Sequence, residues 1–115
     1  MRSIRNHLLG MDQGTLVMFS DFQEDGTMWT GTGKRSYRER VTFDGRFTDP
    51  PMVHISFSMW DFAHDTNQRG DISVENVTED GFDAVFKTWG DTRIARLRVD
   101  WFAMGQVAHD DDWEL

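Results

Sequence analysis

The stretch DISVENVTEDGFDAVFKTWGDTRIARLRVDWFAMG, residues 71–105, decides the fold. Isoleucine, valine and aromatic residues recur at every second position in three successive segments of it, at 72–76, 82–86 and 97–103. A period of two residues is typical of half-buried antiparallel strands, because successive side chains of a strand point to opposite faces. The stretch therefore predicts three consecutive strands.

Two turns separate these strands. The first runs from Thr78 to Gly81, where short polar residues favour a hairpin turn and the glycine is expected to supply a positive φ. The second contains Trp89, Gly90 and Asp91, which place a large ring beside a glycine and a carboxylate. A ring, a polar group and a small neighbour suit a solvated, hydroxyl-rich ligand.

The composition excludes several classes of function. At 115 residues, with 38% hydrophobic and 28% charged residues, the chain is expected to form one folded domain. Its net charge of −8 would repel a phosphate backbone, so nucleic acid is not an expected partner. There is no cysteine, which excludes a disulfide framework and any thiolate nucleophile or thiolate metal site.

Residues 1–10 carry positive charge but lack the apolar run of a signal peptide. No segment approaches the ~20 apolar residues of a transmembrane helix, so membrane insertion is not expected. The sequence predicts a protein that is soluble as encoded and leaves its compartment open. Export would then need lysis, a specialised route or assembly into a larger particle.

Turn-prone residues separate six strand candidates, at about 14–20, 37–44, 52–60, 71–77, 82–89 and 93–104. Residues 21–36 have glycines and polar residues without a periodic pattern and predict a surface loop. Six short strands predict an all-β sandwich or barrel. Residues 1–12 are expected to form an N-terminal arm, 13–105 the folded domain and 106–115 an acidic C-terminal tail.

The third strand candidate gives the clearest assignment of faces. Its apolar face is predicted to carry Val53, Ile55, Phe57 and Met59. Its mostly polar face is predicted to carry His54, Ser56, Ser58 and Trp60. The same reasoning assigns Trp101 to the core and points Trp89 away from it, towards a ligand or a neighbouring subunit.

Several motifs together resemble one family. They are V-T-F at 41–43, F-x-x-P-P-x-V at 47–53, T-W-G-D-T at 88–92 and V-x-W-x-A-x-G at 99–105. In this order they resemble the H-type lectin domain, and the resemblance spans roughly residues 13–105. The T-W-G-D-T block followed by the V-x-W-x-A-x-G strand is its specific part.

The resemblance implies a six-stranded antiparallel β-sandwich that assembles as a homotrimer. It also implies binding of galactose or N-acetylgalactosamine in glycans, without catalysis, metal or cofactor. Each sugar site is then expected near the interface of two protomers, with polar residues from one of them and a ring from its neighbour. Three shallow sites on one body would raise avidity for a repetitive surface, as cell adhesion requires.

Four residues are assigned to the sugar site through this resemblance. Arg69 matches the family arginine that hydrogen-bonds sugar hydroxyls, Trp89 matches the interfacial aromatic residue, and Gly90 lies beside it in the block. A guanidinium offers five fixed donors to neighbouring hydroxyls, while a ring face covers the apolar C–H patch of a pyranose. Asn67 is expected either to add an amide contact or to cap the loop.

The chain departs from the family pattern at two positions. An ungapped alignment puts Thr32 where the family often has an aspartate, and Asp25 is the alternative acceptor if the loop folds differently. Ala95 stands where the best-known members have a tyrosine. Because of these departures, the domain is alternatively expected to bind a different glycan, or to keep the fold with a weakened sugar site.

Three further interpretations compete with the lectin hypothesis. The first is a structural trimeric assembly or adhesion module of a spike, fibre or particle, with weak or no sugar binding. The second is a glycosidase with a carboxylate pair, although no motif places two acids together. The third is a metal site built from Asp61, His64 and Asp65, which are hard or borderline ligands in one loop.

Arg96 and Arg98 form an outward row on the last predicted strand. Buried without partners they would be costly, so they are expected to meet carboxylates across a trimer interface.

Overall fold

The computed structural model of the chain describes residues 1–4 and 8–108. Along them lie β1 (Leu9–Phe19), α1 (Asp21–Glu24), α2 (Thr27–Thr30), β2 (Arg35–Thr42), β3 (Met52–Phe62), β4 (Asp71–Glu75), β5 (Gly81–Thr88) and β6 (Ile94–Gln106). The six predicted strands are all present. The predicted acidic tail from residue 109 onward, and residues 5–7 of the predicted arm, lie outside the described residues.

The strands form two antiparallel sheets of three strands each, in the orders β1-β6-β3 and β2-β5-β4. Their inner faces meet in a core of large apolar side chains, among them Phe82, Phe86, Leu97 and Val99. The prediction of a six-stranded antiparallel β-sandwich is therefore confirmed. The two helices of the described residues have four residues each, far short of a membrane-crossing helix.

Trp101 belongs to the core, as its period predicts. The indole is 8% exposed and contacts the rings of Phe43 and Phe82. A Cβ added at Gly14 on the neighbouring strand would lie 2.8 Å from the indole. The glycine is thus needed for the close approach of β1 to this ring.

β1 begins five residues earlier than predicted. Leu9 already pairs with Gln106, so residues 9–12 of the predicted arm belong to the sheet. The usual alternation is inverted here, because outward positions include the apolar Met11 and Val17 while inward ones include glycines. Because the apolar residues of this segment lie on the outer face, the pattern of a half-buried strand does not predict it.

A β-bulge between Phe57 and Met59 changes the faces of β3. Phe57 lies opposite Val99 as the alternation requires, but Met59 lies opposite Arg98 and Trp60 opposite Leu97. The prediction that Met59 is on the apolar face and Trp60 on the polar face is therefore wrong in register, although Trp60 stays exposed on this edge strand. One extra residue in a strand shifts every later side chain to the other face.

The hairpin between β4 and β5 forms as predicted, but its glycine has another role. Asn76, with φ of 50°, takes the left-handed conformation in this connection, while Gly81 is not among the residues of positive φ. A Cβ at Gly81 would lie 2.1 Å from the carbonyl oxygen of Val41. The glycine is thus required by close packing against β2.

Residues 21–36 are not the featureless loop that the sequence predicts. They contain α1 and α2, joined by the carboxylate of Asp21, which accepts the backbone N–H of Met28 at 2.9 Å. Arg93 Nε donates to the carbonyl oxygen of Trp29 at 2.9 Å, and its guanidinium lies 4.4 Å from the centre of that ring. Helices of four residues depend on contacts with residues far away in the chain, so the local sequence has no periodic pattern that predicts them.

Candidate functional site

Two buried threonines at the ends of the T-W-G-D-T block hold the neighbouring loop in place. Thr88 and Thr92 are 2% and 0% exposed. The Thr88 hydroxyl donates to the carbonyl oxygen of Arg69 at 2.5 Å, and the Thr92 hydroxyl donates to that of Asn67 at 2.6 Å. The backbone N–H of Arg69 in turn donates to Thr92 Oγ1 at 3.1 Å. These bonds satisfy buried polar groups and fix the loop against the β5–β6 turn.

Arg69, Asn67 and Asp91 form a polar cluster on the surface above these threonines. Arg69 Nη1 donates to Asp91 Oδ1 at 2.6 Å, and Asn67 Nδ2 donates to the same oxygen at 3.3 Å. Desolvation raises the pKa of Asp91, but hydrogen bonds from Asn67 and Arg69 outweigh it and leave the pKa below its ordinary value. Asp91 thus stays ionised and orients the guanidinium, whose other N–H groups can serve a ligand.

Gly90 links this cluster to Trp89, the residue before it in the chain. Its φ of +72° is in the left-handed region, and an added Cβ would lie 3.1 Å from Arg69 Nη1. Trp89 is 44% exposed, which agrees with the prediction that it points away from the core. Gly90 therefore connects an exposed tryptophan to the guanidinium cluster within one turn.

The two predicted acceptors from the earlier loop occupy different surroundings. The backbone N–H of Gly33 donates to the carbonyl oxygen of Gly90 at 2.9 Å, which brings the exposed Thr32 next to the Trp89–Gly90 turn. Asp25 is exposed at the end of α1, with φ of 51°. No hydrogen bond or ion pair among residues 1–4 and 8–108 joins Asp25 to Arg69 or to Gly90.

Rings from two short helices lie near Ala95, the position at which the resemblance leads one to expect a tyrosine. Ala95 lines a cavity of about 440 Å³ together with Phe22, Trp29 and Phe62. Phe22 and Trp29 meet edge to face with ring centres 5.0 Å apart. Aromatic surface is thus present beside Ala95, although it comes from α1 and α2.

The residues of the metal hypothesis are not arranged as a metal site, and one of them, Asp61, pairs with an arginine. Asp61 Oδ2 lies 3.1 Å from Nη2 of Arg96, so this carboxylate forms an ion pair with an arginine of the neighbouring strand β6. Among the residues that the structure describes, no group of three His, Cys, Asp or Glu side chains is arranged to hold a metal ion.

Sequence reasoning misses three residues of this site. It treats Asp91 only as a polar neighbour of Trp89, and it gives Thr88 and Thr92 no role. The signal is the symmetry of the T-W-G-D-T block, in which two threonines enclose a ring, a glycine and a carboxylate. Hydroxyls at both ends of a tight turn can bond a neighbouring loop, but the sequence does not say which loop.

The arrangement suits recognition of hydroxyl groups on a shallow surface. Arg69 and Asn67 supply donors, Asp91 supplies acceptor lone pairs, and Trp89 supplies an apolar face. Hydroxyls that exchange water for protein partners gain little per hydrogen bond, about 1 kcal/mol. One such site is therefore expected to bind weakly.

Comparisons with known proteins identify the family of the chain. A family model described as the H-type lectin domain matches residues 38–104, more than half of the chain. The "ATP synthase subunits region ORF 7" protein of Fuscovulum blasticum is 56% identical over 107 residues, which are 93% of each chain.

Discoidins of Dictyostelium discoideum are similar as well. One of the discoidin-1 polypeptides is 39% identical over 75 residues, or 64% of this chain and 30% of that protein. The structure of recombinant discoidin II superposes with a TM-score of 0.75 at 25% identity, covering 91% of this chain and 40% of that one. The present chain thus spans well under half the length of these discoidins.

Proposed function

Since the chain belongs to the H-type lectin domain family and is thereby a lectin-like carbohydrate-binding module, we propose that it recognises glycans of the galactose or N-acetylgalactosamine type. It does so without catalysis, through shallow sites that act together in a homotrimer. Arg69, Trp89, Asn67 and Gly90 form the centre of each site, and Asp91 orients the arginine. Thr32 lies at the rim, beside the Trp89–Gly90 turn, and Asp25 of the same loop is the alternative acceptor.

One observation carries the proposal for the site. The guanidinium of Arg69 is held at 2.6 Å by Asp91 and lies near Gly90, the residue that follows the exposed Trp89. A galactose-type sugar has hydroxyls on one face and a patch of C–H groups on the other. A fixed guanidinium fork can bond the hydroxyls, and an exposed indole in the same turn can cover the C–H patch.

The test measures retention on a galactose resin and binding to a glycan array. Trp89→Ala and Arg69→Ala are each expected to reduce binding at least about tenfold, because each removes one face of the contact. Arg46→Ala is the matched control, since this side chain is also exposed but pairs with Asp80, at the opposite end of β5 from Trp89. Binding that survives both site changes, with the fold intact by circular dichroism, would remove the site assignment.

The homotrimer is supported by the outer face of the β1-β6-β3 sheet. Met11, Met104 and Met52 lie side by side across its three strands, and Phe102 lies two residues before Met104. Met11 is 71% exposed, and Met52 and Phe102 are 46% and 40% exposed. Contiguous exposed apolar side chains of this kind mark association surfaces, and methionine adapts to irregular partners. Copies of this chain are the proposed occupants.

The two arginines on this face do not need a partner chain. Arg96 pairs with Asp61 of its own chain, and Arg98 donates to the hydroxyl oxygen and the carbonyl oxygen of Ser58 at 3.0 and 3.2 Å. Both arginines thus have contacts within the chain, and a contact with carboxylates across an interface stays a prediction. Their charge remains available to align neighbouring copies.

A structural trimeric module of a spike, fibre or particle is the second candidate function. The same apolar face favours it, because that face suits assembly whether or not a sugar binds. A stable trimer that retains no galactoside, on resin or on array, would favour this candidate over the lectin proposal.

A further inference from the structure

A second recess adjoins Trp89 on the outer side of the β2-β5-β4 sheet. It has a volume of about 440 Å³, within the roughly 300–1,000 Å³ typical of small-molecule sites. Ser36, Lys87 and Asp71 lie side by side across its floor on the three strands. Trp89, Thr88, Lys34 and Arg35 complete its lining. We call it the lysine groove.

The groove gathers positive charge in an acidic protein. Lys34 and Lys87 are the two lysines of the chain, which carries a net charge of −8, and both line this one recess. Among the described residues that line the groove, Asp71 is the one carboxylate, so together with Arg35 the lining carries more positive than negative charge. A pocket lined by one sign of charge concentrates ligands of the other sign.

These lysines differ from the arginines of the protein. Arg38, Arg46 and Arg69 form ion pairs with carboxylates. Arg35 in the groove wall is also engaged, because its guanidinium donates to the carbonyl oxygens of Gly33 and Met28. Neither lysine forms a hydrogen bond or ion pair with any residue in 1–4 and 8–108. Their ammonium groups are thus available to an external anion.

The groove and the Arg69 cluster meet at the Trp89–Gly90 turn. Lys87 and Trp89 are two residues apart along the chain, so they lie about 7 Å apart on one side. Gly90 comes next in the chain, and a Cβ added to it would lie 3.1 Å from Arg69 Nη1. A sugar placed against the turn would therefore direct one substituent towards the lysines.

We propose that the lysine groove binds an anionic substituent, a sulfate ester or a carboxylate, of the glycan held at Arg69 and Trp89. The proposal rests on the proposed function and adds a substrate class to it: acidic saccharides bind more tightly than their neutral counterparts. Lys34 and Lys87 supply the positive charge. Trp89 lines both the groove and the sugar site, and Asp71 accepts a hydrogen bond from a sugar hydroxyl.

The test compares four probes by titration calorimetry: methyl galactoside, galactose 6-sulfate, galacturonic acid and inorganic sulfate. The wild-type protein should bind one or both acidic sugars more tightly than the neutral one. Lys34→Gln and Lys87→Gln should each lower the ratio of acidic to neutral affinity about two- to fivefold, the usual range for an exposed ion pair. The preference should also shrink when the salt concentration is raised about tenfold, because salt screens exposed charges. Arg46→Gln removes an equal charge elsewhere and should leave the ratio unchanged.

The outcomes separate this inference from the proposed function. Equal affinity for all three sugars would overturn the lysine groove and leave the neutral-sugar site standing. Inorganic sulfate that binds as tightly as galactose 6-sulfate would overturn the saccharide part, because the anion alone would then suffice. Binding of none of the three sugars would overturn both proposals.

Discussion

The outer faces of the two sheets differ in the side chains that they expose: one carries paired charges and the other apolar residues. On the β2-β5-β4 sheet, Arg38 bridges Asp83 at 2.8 Å and Glu75 at 2.9 Å, and Arg40 reaches Asp83 at 3.2 Å. The network lies over Val85, which is 2% exposed although it points outwards. On the β1-β6-β3 sheet the outer face instead presents methionines and a phenylalanine to the surroundings.

On the first face, side chains of the same chain cover the apolar residues. On the second face, the apolar residues are exposed. Arginine stems shield apolar surface while their charged ends stay in water, so the β2-β5-β4 face is suited to solvent. Exposed methionine rows have no such shield, and covering them is favoured by about 25 cal/mol for each Å² of apolar area. The comparison predicts that changes on the two faces have different consequences.

The largest effect is expected from a charge placed in the uncovered face. Phe102→Glu would bury an unpaired carboxylate in the proposed interface, which is costly enough to break it. Light scattering should then show the mass of one chain instead of three, and avidity for a galactose-coated surface should fall by about 10²-fold or more. Thr42→Glu places the same charge on the charged face and should leave the mass unchanged. A trimer that persists in Phe102→Glu would mean that this face is not the interface.

A smaller effect is expected at the polar end of the same face. Arg98→Glu reverses a charge on the proposed interface, which should weaken the trimer by about 1–2 kcal/mol for each protomer, while the lost hydrogen bonds to Ser58 affect the stability of the single chain. Sedimentation over a dilution series would show dissociation at higher concentration than in the wild type. Arg98→Gln keeps donors and should lie between the two. Identical dilution curves for all three would exclude a role for Arg98 in assembly.

The smallest effect is expected in acid, on the charged face. A hydrogen bond from Asn76 is the first cause that lowers the pKa of Asp83, and bonds from Arg40 and Arg38 add to it against desolvation. Because the folded state favours the carboxylate, this contribution to stability is present above the ordinary pKa and is lost as the pH falls through the lowered value. Urea unfolding at neutral pH and at a pH below the ordinary carboxyl pKa should therefore show a smaller loss of stability in Asp83→Asn than in the wild type.

Asn76→Gly tests the cause named for Asp83. It removes the amide but keeps the positive φ at this position, so it should also reduce the loss between the two pH values. An unchanged loss in both variants would show that Asp83 does not contribute to acid sensitivity.

Much of the fold can be predicted from the sequence because its inner faces follow the strand period. Phe82, Phe86 and Val99 are all buried, as their alternation predicts. Prediction fails where the period is broken or inverted, at the bulge after Phe57 and at the first residues of β1. A bulge depends on the pairing of two strands, because two residues of one strand lie opposite one residue of the other, so the sequence of one strand does not predict it.

The site is predictable in part for a related reason. The resemblance supplies Arg69, Trp89 and Asn67, and the structure brings Arg69 and Asn67 together on Asp91. The sequence directs the search for a carboxylate to the loop before β2, because the family pattern has one there. Asp91 lies 22 residues after Arg69, and only the folded chain makes them neighbours.

The position of β6 constrains the order in which the chain can fold. It is the central strand of its sheet, yet it is the last strand along the described chain, with Leu9 opposite Gln106. During synthesis β1 and β3 therefore emerge with unpaired edges and wait for it, whereas all three strands of the other sheet are complete by Thr88. Closing such distant strands is slow, and waiting edges are prone to aggregation. The charged sheet can thus form early and serve as the template on which the apolar sheet closes.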